Sequence, residues 1–509
     1  MSAIDNKDTG FDDSSVEPGV WRFAKARRAT VIVDAENYFR NMQQAMLQAK
    51  KRILLIGWDF DTRIHLDKGR RWWQRGRSKE YPARLGSFIL WLNRHRPELE
   101  IRILKWSYGF LKFFTRGSMT LDLMRWAPRR RIDFKFDTAH PVACSHHQKI
   151  VVIDDHVAVC GGIDMTTHRW DTREHKEDDP RRKRPRGSYY DPWHDATMMV
   201  EGEVASALGE LGRDRWERAG GKPLTPVGEV EGSAWPEDLE AQFEDVEIGI
   251  ARTRAKYKEA PQICEIADLF VKQISEAKEY IYAESQYFAS RKIADAICKR
   301  MSEPNPPEVL IVHPKNAEGW LEQQAMDNAR AQLVKAIGEV DPHGQFNLYV
   351  PYTGETPIYV HAKIMIIDDR IMRIGSANMN NRSMGLDSEC DMFIDASRPG
   401  NEHAKTPIAR LRHDLLAEHC GLDPEEVPGL LSRYGSMHRM IQQIGTDRSR
   451  TLRRFDLEDT NAVQENLAES ELLDPEHPDD MFEPFADGGL FPRDTSLRRA
   501  KKKIKEKVT

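Results

Sequence analysis

Helices alternating with short strands rich in β-branched residues predict an α/β chain. The expected architecture is two similar halves, each a mostly parallel mixed sheet flanked by helices. Two observations carry the prediction. The order of the elements runs twice along the 509 residues. One phrase also occurs twice, as "HHQKIVVIDDHVAVCGGID" around His147 and as "VHAKIMIIDDRIMRIGSAN" around His361.

The elements follow from apolar spacing. Residues 36–50 are spaced as a helix and lead into an apolar strand over 52–58. A helix over 82–94 precedes a strand over 100–106; 132–136 alternates as a strand, and the strand of His147 follows. In the second half a helix over 263–277 leads to a strand over 280–282, and "PEVLIVHP" reads as the next strand. A helix over 320–337 then leads to "FNLYVP" and to the strand of His361. The Gly-, Pro- and acid-rich stretch 220–238 reads as the connector. The expected organisation is a disordered segment over 1–18, an N-terminal half over 19–240, a C-terminal half over 241–423, and a partly helical or extended tail over 424–509. An insert over 171–188 swings from acidic to basic and reads as an exposed loop at the mouth of a site.

Composition narrows the function. Forty per cent apolar and 31% charged residues are ordinary for a water-soluble globular chain. A net charge of −5 excludes a uniformly basic nucleic-acid binder. No stretch has the length and apolarity of a membrane span. The acidic, polar start lacks the features of a secretion signal. The six cysteines have no close pair, which points to reduced thiols. A cytoplasmic or peripheral-membrane location is expected, with export by a route lacking a signal peptide left open.

The repeated phrase carries the chemistry. His147 and Lys149, like His361 and Lys363, are alternate residues of an extended segment, so each pair shares a face. Two such segments side by side would gather two imidazoles and two ammonium groups around one phosphate. One neutral imidazole can attack phosphorus. The other, protonated, can donate to the leaving oxygen. The lysines would hold the non-bridging oxygens. This needs no metal or other cofactor. Each imidazole also needs an acceptor on its second nitrogen to orient it. Asp154 and Asp368, on the far side of an unbroken strand from the lysines, read as structural groups at strand ends. After the second motif Ser376 and Asn378 can offer hydrogens to phosphate oxygens. The matching places in the first half hold Gly162 and Asp164, and an ionised Asp164 reads as pinning Lys149 or the turn.

The paired HxKxxxxD motifs, with "GGIDMTTHRWD" after one and "GSANMNNRSM" after the other, resemble the phospholipase D superfamily. "YDPWHD" and "IYAESQYF" resemble its branch acting on phosphatidylcholine-type lipids. The resemblance runs from about Gly19 to about Cys420. It implies the phospholipase D fold, with the motif strands meeting at a pseudo-two-fold axis and the active site between the halves. It also implies acidic partners for the imidazoles: Glu389 in the half of His361 and Asp195, of "PWHD", in the other. Asp391 shares a strand face with Glu389, so spacing does not separate the two. By resemblance His147 is the nucleophile and His361 the acid.

The activity implied is hydrolysis of a glycerophospholipid at the distal phosphodiester, giving phosphatidate and a free alcohol, with transfer to other alcohols. The partners are then a phospholipid at a membrane surface and water or a small alcohol; nucleic acid is disfavoured. The internal duplication completes a site within a monomer. A cardiolipin-synthase-like phosphatidyltransferase and a nuclease are the alternatives. The aromatic runs over 71–76 and 106–114 suit either a lipid entrance or simple packing, and the basic end over 498–507 suits either a solvated face or attraction to anionic headgroups.

Overall fold

The first half runs β1 (Arg22–Val33), α1 (Ala35–Gln48), β2 (Arg52–Gly57), α2 (Leu85–His95), β3 (Glu100–Trp106), α3 (Ser118–Trp126), β4 (Ile132–Asp137), β5 (Ile150–Ile153), β6 (Val157–Gly161), β7 (Trp193–His194), β8 (Ala196–Gly202) and α4 (Glu203–Arg218). The second runs β9 (Phe243–Arg254), β10 (Ile263–Cys264), α5 (Glu265–Glu276), β11 (Tyr280–Glu284), α6 (Arg291–Met301), β12 (Glu308–Val312), α7 (Trp320–Val340), β13 (Phe346–Thr353), β14 (Thr356–Pro357), β15 (Tyr359–Val360), β16 (Ile364–Ile367), β17 (Ile371–Gly375), α8 (Asn381–Gly385), β18 (Glu389–Asp395) and α9 (Lys405–Cys420). Two short helices, α10 (Val427–Tyr434) and α11 (Met437–Ile444), precede β19 (Arg450–Arg454), which adds antiparallel to β13. This computed structural model describes residues 12–71, 80–106, 118–141, 144–185, 187–316 and 320–455. Most of both aromatic runs and the basic C-terminal end lie outside the described residues.

The strands form one ladder that reads alike from both ends. Its order is β4-β3-β2-β5-β6-β8-β1, then β9-β18-β17-β16-β11-β12-β13, joined by the antiparallel pair β1–β9. Within each half only β2-β3-β4 and β11-β12-β13 are parallel. The expected mostly parallel sheets are therefore mixed, with antiparallel pairs in the majority. The cause lies in the Asp-Asp pairs. Asp154 and Asp155 have φ of 55° and 54°, and Asp368 and Asp369 have 54° and 49°. Two consecutive left-handed residues make the tight hairpin that turns β5 back as β6 and β16 back as β17.

Alternation at period two assigns each strand residue to a layer. Ile53 and Leu55 of β2, with Val151 and Ile153 of β5, pack outward under α1, α2 and α3. Leu54, Ile56, Ile150 and Val152 face inward and meet Ile364, Ile366 and Met372 of the other half. Met365 and Ile367 pack outward with α5 and α6. Burial on both faces explains why the motif strands read as unbroken apolar runs.

The insert over 171–188 is not simply an exposed loop. Asp171, His175, Asp179 and Arg182 are buried in it. It is drawn down because α9 supplies Asp414 and Glu418 to Arg173, and Glu418 to His175.

Candidate active site

The first hairpin is anchored by Asp154, whose carboxylate accepts from the backbone N–H of Lys50, Lys51 and Arg52 at 2.7 Å each. Asp368 does the same for Lys278, Glu279 and Tyr280 at 2.8, 2.8 and 2.9 Å. Each motif aspartate thus ties its hairpin to the start of the neighbouring antiparallel strand, β2 or β11. The motif strands begin one residue after each lysine, at Ile150 and Ile364. His147–Lys149 and His361–Lys363 are therefore extended lead-ins rather than strand residues.

Those lead-ins are held by the opposite half. The His147 N–H donates to Ser388 O at 3.0 Å, and the His361 N–H to His194 O at 2.7 Å. Ser388 and His194 each precede an acidic residue. The side chains follow the same exchange. His147 Nδ1 lies 3.0 Å from Glu389 Oε1, and His361 Nδ1 lies 2.7 Å from Asp195 Oδ2. The expected pairing within each half is thus reversed, because β18 and β7 lie against the lead-in of the other half. Asp391 faces Arg373 at 3.6 Å and accepts from the Ala377 N–H, so Glu389 alone serves the imidazole. With Nδ1 committed, Nε2 of each ring has no protein partner among the described residues. His147 has 14% of its side chain exposed and His361 5%, so the site opens on the side of His147.

The lysines fold back on their own motifs. Lys149 Nζ donates to His147 O at 2.8 Å and lies 3.6 Å from Asp164 Oδ2. Asp164 also accepts from the Trp58 N–H at 3.1 Å, so it joins the lysine to the turn. Lys363 Nζ donates to His361 O and, at 3.3 Å, to Gln286 Oε1. Gln286 is held by the hydroxyls of Tyr287 and Tyr359. Asn378 Nδ2 points at the same Gln286 oxygen at 3.5 Å. Ser376 differs from expectation. Its hydroxyl donates to Glu389 Oε2 at 2.5 Å, behind the imidazole, so it is not free for a phosphate oxygen. Ser383 adds a second hydroxyl to Glu389 at 2.8 Å.

Burial governs the electrostatics. It pushes both imidazoles well below their ordinary range, helped by Lys149 and Lys363 at His147, and by Lys363, Arg169 and Lys149 at His361. The His147 charge also acts on His361, which marks the rings as neighbours. Burial raises Glu389 to about 8 and Asp195 to about 6, opposed by Lys149 and Lys363 respectively. Burial lowers Lys363 to about 7, opposed by Asp195. This pocket is short of anions, and a phosphodiester supplies one.

Gly162 has a geometric reason. A Cβ there would lie 2.1 Å from Asp195 Oδ1, so only glycine admits the carboxylate that orients His361.

Other histidines near the motifs serve packing. His146 bridges Asp137 at 2.8 Å and Ser388 Oγ at 2.6 Å. His194 joins a buried network across the halves. His194 Nδ1 lies 2.8 Å from Glu418 Oε1 and 3.4 Å from Asp34 Oδ1; His175 Nε2 lies 3.0 Å from Glu418 Oε1 and 3.4 Å from Asp34 Oδ2. The second ring nitrogens face Glu284 at 2.7 Å and Asp171 at 3.0 Å. These four residues could hold a divalent cation, since ligands about 2.0 Å from a tetrahedral metal stand about 3.3 Å apart. Protonated imidazoles satisfy the same carboxylates, which raise His175 to about 9. Asp34 and Glu418 carry no motif signal in the sequence, whereas Gln286 lies within "IYAESQYF" and only the structure shows its place beside Lys363.

Comparison with known proteins matches residues 45–305 to the family described as Phospholipase D, and residues 270–411 to that described as Cardiolipin synthase, PLD-like domain. The chain is 27% identical to Phospholipase D1 of Saccharomyces cerevisiae, over 78% of this chain and 29% of that protein. It is 23% identical to Phospholipase D A of Dictyostelium discoideum, over 80% and 37%. With Phospholipase D alpha 1 of Nicotiana tabacum the identity is 25%, over 55% and 49%. The chain spans less than half the length of each of these three relatives. The crystal structure of phosphatidylserine synthase from Haemophilus influenzae is similar in fold, with a TM-score of 0.50 at 11% identity over 83% of this chain and 96% of that one. Among the described residues no helix is long and apolar enough to cross a membrane.

Proposed function

The chain belongs to the phospholipase D superfamily, and from that premise we propose that it is a phospholipase D acting on glycerophospholipids at the distal phosphodiester. One observation carries the reading. Two imidazoles have Nδ1 fixed on buried carboxylates, and their Nε2 atoms lack protein partners among the described residues.

In the proposed reaction the neutral His147 Nε2 attacks phosphorus and the P–O bond to the headgroup breaks. Protonated His361 gives its Nε2 proton to the departing oxygen, and the free alcohol leaves. Neutral His361 then takes a proton from water as the water oxygen bonds phosphorus and the P–N bond breaks. Phosphatidate is released and both rings return to their starting states. Lys149 and Lys363 hold the non-bridging oxygens throughout. The assignment of His147 as nucleophile follows the family resemblance; its greater exposure supports the approach of a bulky phosphate there. The low proton affinity of His361 suits an acid that must release its proton, and the arriving phosphate anion raises that affinity enough to load it.

Any small alcohol can replace water in the second step, so phosphatidyl transfer belongs to the same reading. The match to the cardiolipin synthase family over residues 270–411 favours phosphatidylglycerol as an acceptor worth testing. A water-or-lipid acceptor is separated by feeding phosphatidylglycerol alone and looking for cardiolipin. The principal test uses phosphatidylcholine vesicles with and without ethanol. Choline release and phosphatidylethanol are expected; the absence of both refutes the proposal.

A further inference from the structure

Arg169 follows the first motif in "MTTHRWD" and is 6% exposed. The other buried arginines, Arg182, Arg215, Arg252, Arg330, Arg373 and Arg412, each face a carboxylate within ion-pair distance. Arg169 faces none among the described residues. It donates only to His168 O, at 3.3 Å, and its Nε is buried without a partner. Its charge reaches the Asp195 carboxylate, which His361 already occupies, but no carboxylate among the described residues lies within ion-pair distance, and a guanidinium buried in this way is costly unless an anion arrives from outside.

The place of Arg169 says which part of the substrate brings that anion. Its guanidinium lies 4.2 Å over the ring of Trp193. Trp193 also stacks on Tyr359 at 4.5 Å, and its ring centre is 5.3 Å from that of His361. Trp193 Nε1 is also buried without a partner. Two unused polar atoms thus stand beside His361, and both are donors that cannot accept. A quaternary ammonium, which carries no acceptor, could use neither. A carboxylate or phosphate could use both.

We propose that Arg169 and Trp193 form a headgroup subsite on the His361 side of the pocket, which takes an anionic group carried by the leaving alcohol. This rests on the proposed reaction, in which His361 protonates the leaving oxygen and so faces the headgroup. The lipid class selected is one whose headgroup bears an anionic oxygen group, as the carboxylate of phosphatidylserine does, in preference to phosphatidylcholine. Arg169 is then a specificity-determining residue.

The test compares kcat/KM for phosphatidylserine and phosphatidylcholine, each at equal mole fraction in nonionic detergent micelles, for the wild type, Arg169→Gln and Arg169→Lys. The serine-to-choline ratio is expected to fall about tenfold or more in Arg169→Gln, the scale of a lost charged hydrogen bond, and to recover in part in Arg169→Lys. An unchanged ratio overturns the proposal, including the case in which both substrates fall together because Arg169 holds the phosphodiester itself. Binding of O-phosphoserine and phosphocholine is measured calorimetrically on the same proteins and needs no turnover. Wild-type preference for O-phosphoserine, lost in Arg169→Gln, supports the subsite even if no lipid is cleaved, in which case the hydrolase reading alone fails. Equal binding of the two probes by the wild type overturns the subsite whatever the activity.

Discussion

His147 hydrogen-bonds through Nδ1 to Glu389 at 3.0 Å, although the two residues come from opposite halves of the chain. His361 and Asp195 repeat the exchange at 2.7 Å. Each half supplies the imidazole of one dyad and the carboxylate of the other, so neither half alone holds a complete acid-base unit.

This exchange separates the two carboxylates by experiment. Glu389→Gln disturbs the ring proposed to attack; Asp195→Asn disturbs the ring proposed to donate. With a natural headgroup both variants should lose about a hundredfold or more in kcat, the lower end of what general acid-base groups contribute. p-Nitrophenolate leaves without a proton, so a phosphatidyl ester of p-nitrophenol should restore the first-turnover burst in Asp195→Asn, whose deprotonation of water stays slow, and not in Glu389→Gln. Restoration of Glu389→Gln instead would reverse the assignment of nucleophile and acid.

Much of this site is legible in the sequence because it is local. His147 and Lys149 share a direction through the two-residue repeat of extended backbone, and Asp154 closes a hairpin whose turn type its own doublet specifies. What is hidden is relational. The pairing of Glu389 with His147 depends on β18 crossing to the other half, and no spacing encodes that. Ser376 looks like a phosphate donor until the position of Glu389 shows what its hydroxyl meets. The insert over 171–188 looks solvated because the partners that draw Arg173 and His175 down, Asp414 and Glu418, lie on α9, far along the chain. The sheet direction is hidden for a related reason. Alternating helices and strands suggest parallel crossovers, while the hairpins that reverse each motif strand depend on backbone dihedrals at aspartates.

Gly162→Ala tests how tightly Asp195 must be seated. The new methyl meets Asp195 Oδ1 at 2.1 Å, so the carboxylate has to withdraw from His361. A loss in kcat of roughly tenfold to a hundredfold is expected from a misplaced orienting group, with the circular dichroism spectrum retained. Wild-type kcat in a folded Gly162→Ala protein would contradict the role given to Asp195.

Asp154→Ala and Asp368→Ala should act on stability alone. Each removes an acceptor for three backbone N–H groups at a strand start, worth roughly 2–4 kcal/mol together. The Asp154 bonds are more shielded than those of Asp368, so Asp154→Ala should cost more. Urea unfolding measures the order, and active-site titration of the folded fraction should return near-wild-type kcat for both.

Glu418 tests the buried junction between the halves. Its carboxylate meets His175, His194 and Arg173. Glu418→Gln leaves these cationic partners short of a buried negative charge, and about 3–5 kcal/mol of stability should be lost. Chemical denaturation decides it. A loss below about 1 kcal/mol, the worth of an exposed pair, would mean that the network contributes little to holding α9 on the first half.

Lys363 makes anion binding a proton-uptake reaction. Burial lowers its pKa to about 7 in the free protein, so above that pH the amine is mostly neutral. A phosphate beside it favours the charged form and raises the pKa, and a proton is drawn from the buffer as the anion binds. The sign is fixed: uptake is greatest above the free-protein value and disappears for this group about one to two units below it, where Lys363 already carries its proton. Calorimetry of inorganic phosphate binding at about pH 8, in buffers of different ionisation enthalpy, should report an uptake approaching one proton. Lys363→Met should abolish that component. If the measured enthalpy is independent of the buffer, the lysine is already charged in the free protein, and the account of the pocket as a cluster starved of anions fails with it.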